Sequence, residues 1–292
     1  MGSELDAFIS YLSDDLHKSD NTVQSYRRDL VRFENYLASV SVVTVSDVTE
    51  DNLKAYLGFL ESEKFKTATI SRNVASVHAY FRYLYTGNRI PNDISGVLKS
   101  PKVEKKLPEI LTPAQVASLL EQPSGTDAKE VRDKAMLELL YATGIRVSEL
   151  IGLKVGDVDI KTDLLVVKDR KIPFGVNARN ALIGYFAGAR DELLEAGDKN
   201  SDILFPSCLG EPMSRQGFWK LLKGYAHKAG IEQEITPHTL RHCFAAHLMA
   251  GGADIHSVSE MLGHSDISTT KLYSKLGHSD LREVYSSSHP RA

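Results

Sequence analysis

The sequence is poor in cysteine, which limits where this chain can act. Only two of its 292 residues are cysteines, Cys208 and Cys243, too few for the disulfide framework of a small secreted domain. The opening segment, MGSELDAFISYL, is acidic and lacks the apolar run of a secretory signal. We therefore expect a cytoplasmic protein.

A surplus of positive charge is also absent. The formal net charge is -3 at pH 7 and the isoelectric point is about 6.4, which argues against a protein that coats nucleic acid through bulk charge. Hydrophobic residues make up 42% of the chain and charged residues 25%, as in ordinary globular proteins. The length favours two domains. Any DNA binding must therefore depend on local basic surfaces.

Apolar residues recur at helical spacing through the first hundred residues, for example Val23, Tyr26 and Leu30, which predicts a bundle of four or five helices. The stretch 101–111 has two prolines, a charge run and no apolar period, and reads as a linker. A capping box then starts at Thr112. We predict an N-terminal domain over 1–100, a linker over 101–111 and a second domain over 112–292.

The second domain is predicted to be mainly helical, with one small β-hairpin. The segment DIKTDLLVVKDRKIPFG suggests strands over Leu164–Val167 and Lys171–Phe174. In TGIRVSEL, Gly144 breaks a helix and a new one starts near Val147, so Arg146 lies at a helix-to-helix corner. Taken alone, such an arginine would most simply bond the carbonyls that end the preceding helix.

A second cluster of basic residues lies in TPHTLRHCFAAHLMAGG. Thr236 is a suitable N-cap with proline after it, and His238 and Arg241 then lie three residues apart on one helical face. Leu240, Phe244 and Leu248 form a separate apolar stripe, which is expected to face the core. A His–Arg pair at this spacing is common, so on its own it says little.

The order of these segments is more informative than any one of them. TGIRVSEL, a basic hairpin, HTLRH, LGHSDISTT and a following tyrosine succeed one another along the chain. In this order, and from NTVQSYRRDL to HPRA, the sequence resembles the tyrosine recombinases of the Xer type in the phage integrase family. The resemblance implies a mainly α fold: a SAM-like helical core-binding domain, and a largely helical catalytic domain with a small β-sheet.

The resemblance also implies a catalytic set, matched motif by motif. Glu149 would be a group behind the first arginine that orients it, and the hairpin would supply a lysine. Because the segment VVKDRKIPFG has a much shorter turn than the related sequences, Lys168 is the first candidate for that lysine and Lys171 the alternative. The predicted catalytic residues are Arg146, Lys168, His238, Arg241, His264 and Tyr273.

What the resemblance implies for function is site-specific DNA recombination without cofactor or metal. Tyr273 would form a 3'-phosphotyrosyl link, and the enzyme would resolve chromosome or plasmid dimers. The two domains would close around duplex DNA, with Arg27, Arg28 and Arg72 as DNA contacts chosen from helix position. Homo- or heterotetramers would form on paired sites, a DNA translocase could activate them, and the tail from about 277 would dock on a neighbour.

Three other functions remain open from the sequence. A type IB topoisomerase would nick and reseal DNA through the same tyrosine ester. A hydrolase could bind zinc through the histidines at 238, 242, 247 and 264, although the glutamate of the usual helical zinc motif is missing. A DNA-binding regulator could keep the fold without cleaving DNA.

Overall fold

The computed structural model describes residues 2–102, 110–263 and 280–292. The chain divides into two compact units, Met1–Lys106 and Leu107–Ala292. The architecture is mainly α-helical with one small antiparallel sheet, as expected from the sequence. Within the described ranges, no helix is both long enough and apolar enough to span a membrane.

The N-terminal unit, over residues 2–102, is a bundle of four α-helices. One turn of π-helix, Tyr11–Asp15, extends the first of them. The second helix is capped by the side chain of Ser19, which accepts a hydrogen bond from the amide of Thr22. The four helices are α1 (Gly2–Ser10), α2 (Asp20–Ser39), α3 (Glu50–Ser62) and α4 (Thr67–Thr86).

A buried ion pair ties α2 to α4 inside this bundle. The carboxylate of Asp29 is fully buried and accepts two hydrogen bonds from Arg72, both 2.8 Å long. Ser76 donates a third at 3.1 Å. A buried carboxylate with these donors fixes how the two helices face each other, because it would be costly to leave unpaired.

The C-terminal unit is also mainly helical. Over its described residues, the helices are α5 (Pro113–Glu121), α6 (Ala128–Thr143), α7 (Val147–Leu150), α8 (Val176–Gly184), α9 (Arg190–Leu194), α10 (Arg215–Lys228), α11 (Pro237–Ala250), α12 (Ile255–Leu262) and α13 (Asp280–Ser288). The unit is built around α6, in which every residue from Ala135 to Thr143 is buried, because α5, α8, α9 and α11 all pack against it.

The sheet of this unit has three antiparallel strands: β1 (Val158–Asp159), β2 (Leu164–Val167) and β3 (Arg170–Pro173). Val167 pairs with Arg170 and Leu165 with Ile172. Strand β3 therefore begins one residue earlier than the predicted Lys171–Phe174, and the turn between β2 and β3 contains only two residues. Lys168, the first of them, adopts a left-handed conformation with φ 55°.

The end of the chain packs on its own unit. Tyr285 is 2% exposed, and its hydroxyl accepts a hydrogen bond from the amide of Gly175 at 3.1 Å. The buried ring of His289 stacks on Tyr285 with centroids 4.7 Å apart. Arg291 donates to the buried carboxylate of Glu138. The expected docking of this tail on a neighbouring protomer stays a prediction; in the single chain Tyr285, Ser288 and His289 are buried in their own unit.

Candidate active site

The corner that carries Arg146 is fixed by a glycine. Gly144 ends α6 in a left-handed conformation with φ 58°, and a Cβ atom there would overlap the ring of Phe244. The chain then buries Ile145 completely. Arg146 follows as the N-cap of α7, and its side chain is 43% exposed. Backbone geometry and packing together aim this guanidinium at the surface.

Glu149 holds Arg146 from both ends. One carboxylate oxygen accepts from the backbone amide of Arg146 at 2.8 Å, and the other accepts from its guanidinium at 3.3 Å. That second oxygen also accepts from Arg170 at 2.6 Å. Burial would raise the pKa of Glu149, but the amide of Arg146 and the two guanidiniums outweigh it and lower the pKa. Glu149 is therefore ionised at neutral pH.

Arg241 is a buried cation whose partners are backbone carbonyls. It is 7% exposed and donates to the carbonyls of Gly144 at 2.6 Å and Leu262 at 2.7 Å. Burial first, and then the charge of Arg146, lowers its pKa from 12.5 to about 10. The guanidinium is still protonated at neutral pH. No carboxylate makes a hydrogen bond to it in the described part of the chain, so this site holds positive charge ready for an anion.

Three arginines converge on the end of α12. Its last carbonyls, those of Met261 and Leu262, accept from Arg170 and Arg241, and the carbonyl of Gly263 accepts from Arg146 at 3.3 Å. The carboxyl end of a helix carries partial negative charge, which makes it a good place to hold cations together. Arg146 and Arg241, 95 positions apart in the sequence, thus bond to adjacent residues.

The first turn of α11 adds an imidazole to this region. His238 is exposed and lines a cleft of about 350 Å³ together with Arg146, Arg215 and Trp219. The walls of this cleft remove part of the water around the ring, and this desolvation, followed by the positive charge of His242 and the nearby arginines, lowers the pKa of His238 below its usual value. At neutral pH the ring is uncharged, and an uncharged imidazole can accept a proton.

The two lysines of the hairpin differ in position. Lys168 is exposed at the tip of the two-residue turn. Lys171 is exposed and pairs with Val166, on the face of the sheet opposite to Arg170. Arg170 faces the carboxylate of Glu149. Lys171 therefore points away from the arginine cluster, by which we mean the three arginines that bond to the end of α12. This orientation argues against Lys171, and the role of Lys168 stays a prediction.

His264 and Tyr273, the two remaining predicted catalytic residues, lie outside the described residues. The described chain stops at Gly263 and resumes at 280. Gly263 ends α12 in a left-handed conformation with φ 63°, and its carbonyl is the one that Arg146 bonds. The residue immediately before His264 is thus in contact with the cluster of arginines.

One member of the alternative zinc cluster is already used in the core. His247 is buried, with one ring nitrogen 2.8 Å from the hydroxyl of Tyr141 and the other 2.9 Å from the carbonyl of Leu111. Neither nitrogen has a lone pair directed toward a metal. Among the described residues no group of three or more metal-ligating side chains comes together. The zinc hydrolase therefore loses one of its four proposed ligands.

The predicted DNA contacts of the N-terminal unit have different surroundings. Arg27 makes an exposed ion pair with Asp6 at 3.0 Å. Arg28 is exposed on the same helix. Arg72 uses two of its donors on the buried Asp29, and that hydrogen bonding raises its pKa. Of the three, Arg72 has the clearest structural role.

Two residues of the site did not emerge from the sequence. Arg170 was hidden in the run KDRK, although counting back two positions from the core residue Ile172 places it on the inward face of β3. Arg215 starts α10 after the N-cap Ser214. The only signal for Arg215 was its position in the first helical turn, which does not by itself indicate a cleft.

Comparison with known proteins identifies the family. The phage integrase family matches residues 109–279, and its N-terminal SAM-like domain matches residues 5–88. This chain therefore belongs to the phage integrase family, the tyrosine recombinases, whose members are enzymes that exchange DNA strands.

Curated relatives cover nearly the whole chain. The tyrosine recombinase XerD of Shewanella oneidensis is 41% identical over 98% of this chain and 96% of its own length. The tyrosine recombinase XerC of Roseiflexus castenholzii is 39% identical over 100% of this chain and 95% of its own. The Tn1549 transposon integrase, solved in complex with transposon right end DNA, has a TM-score of 0.73 at 20% identity over 96% of both chains. This last similarity shows a shared fold.

Proposed function

We propose that this protein is a site-specific recombinase that cleaves and rejoins duplex DNA through a 3'-phosphotyrosyl intermediate on Tyr273. The observation that carries the proposal is the convergence of Arg146 and Arg241 on the end of α12, directly before His264. Two guanidiniums that stay charged can neutralise the nonbridging oxygens of one phosphodiester. The family and the curated names of its relatives support the same reaction.

The first step needs a base, because the nucleophile is a weak acid. A phenol with a pKa of about 10 is ionised to roughly one part in a thousand at pH 7, a deficit of about 4 kcal/mol. His238 is uncharged at neutral pH and lines the same cleft as Arg146. It accepts the phenolic proton as the tyrosine oxygen bonds to phosphorus.

The departing oxygen needs an acid. The bond between phosphorus and the 5' oxygen breaks, and a lysine, Lys168 in this proposal, transfers a proton to that oxygen. Arg146, Arg241 and His264 stabilise the charge that builds up on the nonbridging oxygens. The phosphotyrosyl ester keeps the bond energy of the phosphodiester, so a 5' hydroxyl can displace the tyrosine without ATP or metal.

The biological setting is the finer part of the proposal. We expect the protein to act in the cytoplasm on a DNA recombination site, as a homo- or heterotetramer, with a DNA translocase as a possible activator. Resolution of chromosome or plasmid dimers fits the names of the relatives. Docking of the tail on a neighbour through its buried side chains would require Tyr285 and His289 to leave the positions that they occupy in the single chain.

A suicide substrate tests the reaction. Its nick lies close to the scissile phosphate, so that the released fragment diffuses away and the adduct accumulates. With EDTA present, the wild-type protein should form an adduct and Tyr273→Phe should not. Adding a complementary strand with a 5' hydroxyl should then consume the adduct and give a joined strand. Product formed only with added zinc, or hydrolysis in place of joining, would contradict the proposal.

A further inference from the structure

Arg170 is an inward-facing charge on an otherwise apolar face of the hairpin. It shares that face with Leu165, Val167 and Ile172, all of which are buried. Its own side chain is only 15% exposed. A cation at such a position needs partners that compensate for its loss of water, and the structure supplies two.

The two partners of Arg170 belong to separate parts of the site. One guanidinium nitrogen donates to the carboxylate of Glu149 at 2.6 Å, and the other donates to the carbonyl of Met261 at 2.7 Å. Between these contacts the side chain lies against the backbone of Gly263, where a Cβ atom would come within 2.6 Å of Nε. Arg170 thus connects the hairpin to α7 and to the end of α12.

The contact with Glu149 bears directly on Arg146. The oxygen that accepts from Arg170 also accepts from the guanidinium of Arg146, over a longer distance of 3.3 Å. Arg146 is 43% exposed, whereas Glu149 is 9% exposed. The carboxylate is therefore the anchored partner, and Arg170 is the stronger of the two charged donors that anchor it.

We infer that Arg170 is a positioning residue for strand cleavage, which acts by holding Glu149 and the end of α12 so that Arg146 is aimed at the scissile phosphate. This inference rests on the proposed function. Without Arg170, the carboxylate of Glu149 is free to draw the guanidinium of Arg146 inward. Arg146 is then less available to the DNA. Arg170 itself does not touch the phosphate.

The test measures two variants of Arg170, first on an ordinary DNA substrate and then on one of lower charge. Arg170→Gln and Arg170→Lys are measured for site affinity and, separately, for the single-turnover rate of adduct formation. We expect Arg170→Gln to slow cleavage by about 10–100-fold, by analogy with the loss found when the partner that orients a metal ligand is removed, with affinity within about threefold of wild type. Arg170→Lys should fall between, because an ammonium does not span both acceptors.

A methylphosphonate at the scissile position provides the decisive readout. It has one negative charge fewer than a phosphodiester, so its cleavage depends less on Arg146. The ratio of wild-type to Arg170→Gln rates should therefore shrink to within about threefold on this substrate, as it should for Arg146→Gln. An equal deficit on both substrates would mean that Arg170 is only structural, and would overturn the inference.

Arg179→Gln is the matched control. Arg179 pairs with Asp163 at 3.2 Å and lies on α8, directly after the hairpin, without touching the arginine cluster. The Arg179→Gln variant should cleave both substrates at the wild-type rate, and a deficit equal to that of Arg170→Gln would contradict the inference.

If Arg170→Gln does not fold, the Arg170→Lys variant provides the test in its place. A folded Arg170→Lys variant that cleaves at the wild-type rate would contradict the inference. A wild-type protein that forms no adduct would instead defeat the proposed function.

Discussion

Replacing Arg241 by methionine should separate stability from catalysis. The lowering of its pKa from 12.5 to about 10 means that the charged form is disfavoured by about 3 kcal/mol in its buried position. Methionine removes that penalty. It also leaves the carbonyls of Gly144 and Leu262 without their donor, at about 1–3 kcal/mol each. The two effects oppose each other, so the free energy of unfolding should fall by less than about 3 kcal/mol.

The effect of Arg241→Met on the cleavage rate has no opposing contribution of this kind. A buried donor aimed at developing charge contributes on the order of 10²–10³ in rate, and we expect at least this loss of adduct formation for Arg241→Met. Arg241→Lys should be nearly as slow, because lysine does not reproduce the planar fork of arginine.

Both quantities can be measured on the same protein. Trp219 is the only tryptophan of the sequence and lies in the C-terminal unit, so its fluorescence in urea reports the unfolding of that unit. Single-turnover adduct formation gives the rate. A loss of stability above about 5 kcal/mol, or cleavage at the wild-type rate, would refute the reasoning, since Arg241 would then be mainly a structural residue or no part of the chemistry.

Two further predictions concern His238 and the tail. The folded protein lowers the pKa of His238, so the uncharged ring persists to lower pH than in a free histidine. The acid limb of kcat/KM for cleavage should therefore have its midpoint below about pH 6.5, the ordinary value for histidine, and His238→Gln should lack this limb. A midpoint above that value would argue against His238 as the base. Deleting residues 284–292 removes the buried Tyr285 and should lower the stability of the C-terminal unit by at least about 2 kcal/mol; an unchanged urea midpoint would show that the tail adds nothing to its own unit.

The helical part of the fold was predictable because it rests on local rules. The capping box at Thr112, the Thr236–Pro237 start of α11 and the Gly144 that ends α6 are all present. The start of α2 is harder to predict. Ser19, Asn21 and Thr22 are all residue types that cap helices, and the sequence does not choose among them; in the structure Ser19 is the cap.

Contacts between distant segments could not be read from spacing. Nothing in the sequence links Arg170 to Met261, or Tyr285 to the amide of Gly175. The burial of Arg241 was equally hidden, because its exposed neighbour His238 lies on the same helix only three residues earlier. The motifs indicated which residues matter, but their surroundings depend on how α6, α11 and α12 pack.

The central claim is that Tyr273 becomes joined to the 3' end of a cleaved strand beside Arg146 and Arg241. The most direct test is mass spectrometry of the adduct trapped in EDTA, after digestion with protease and nuclease. The predicted result is one peptide, containing Tyr273, that carries a 3'-linked nucleotide. A nucleotide on any other residue, or one linked through its 5' phosphate, would contradict the claim.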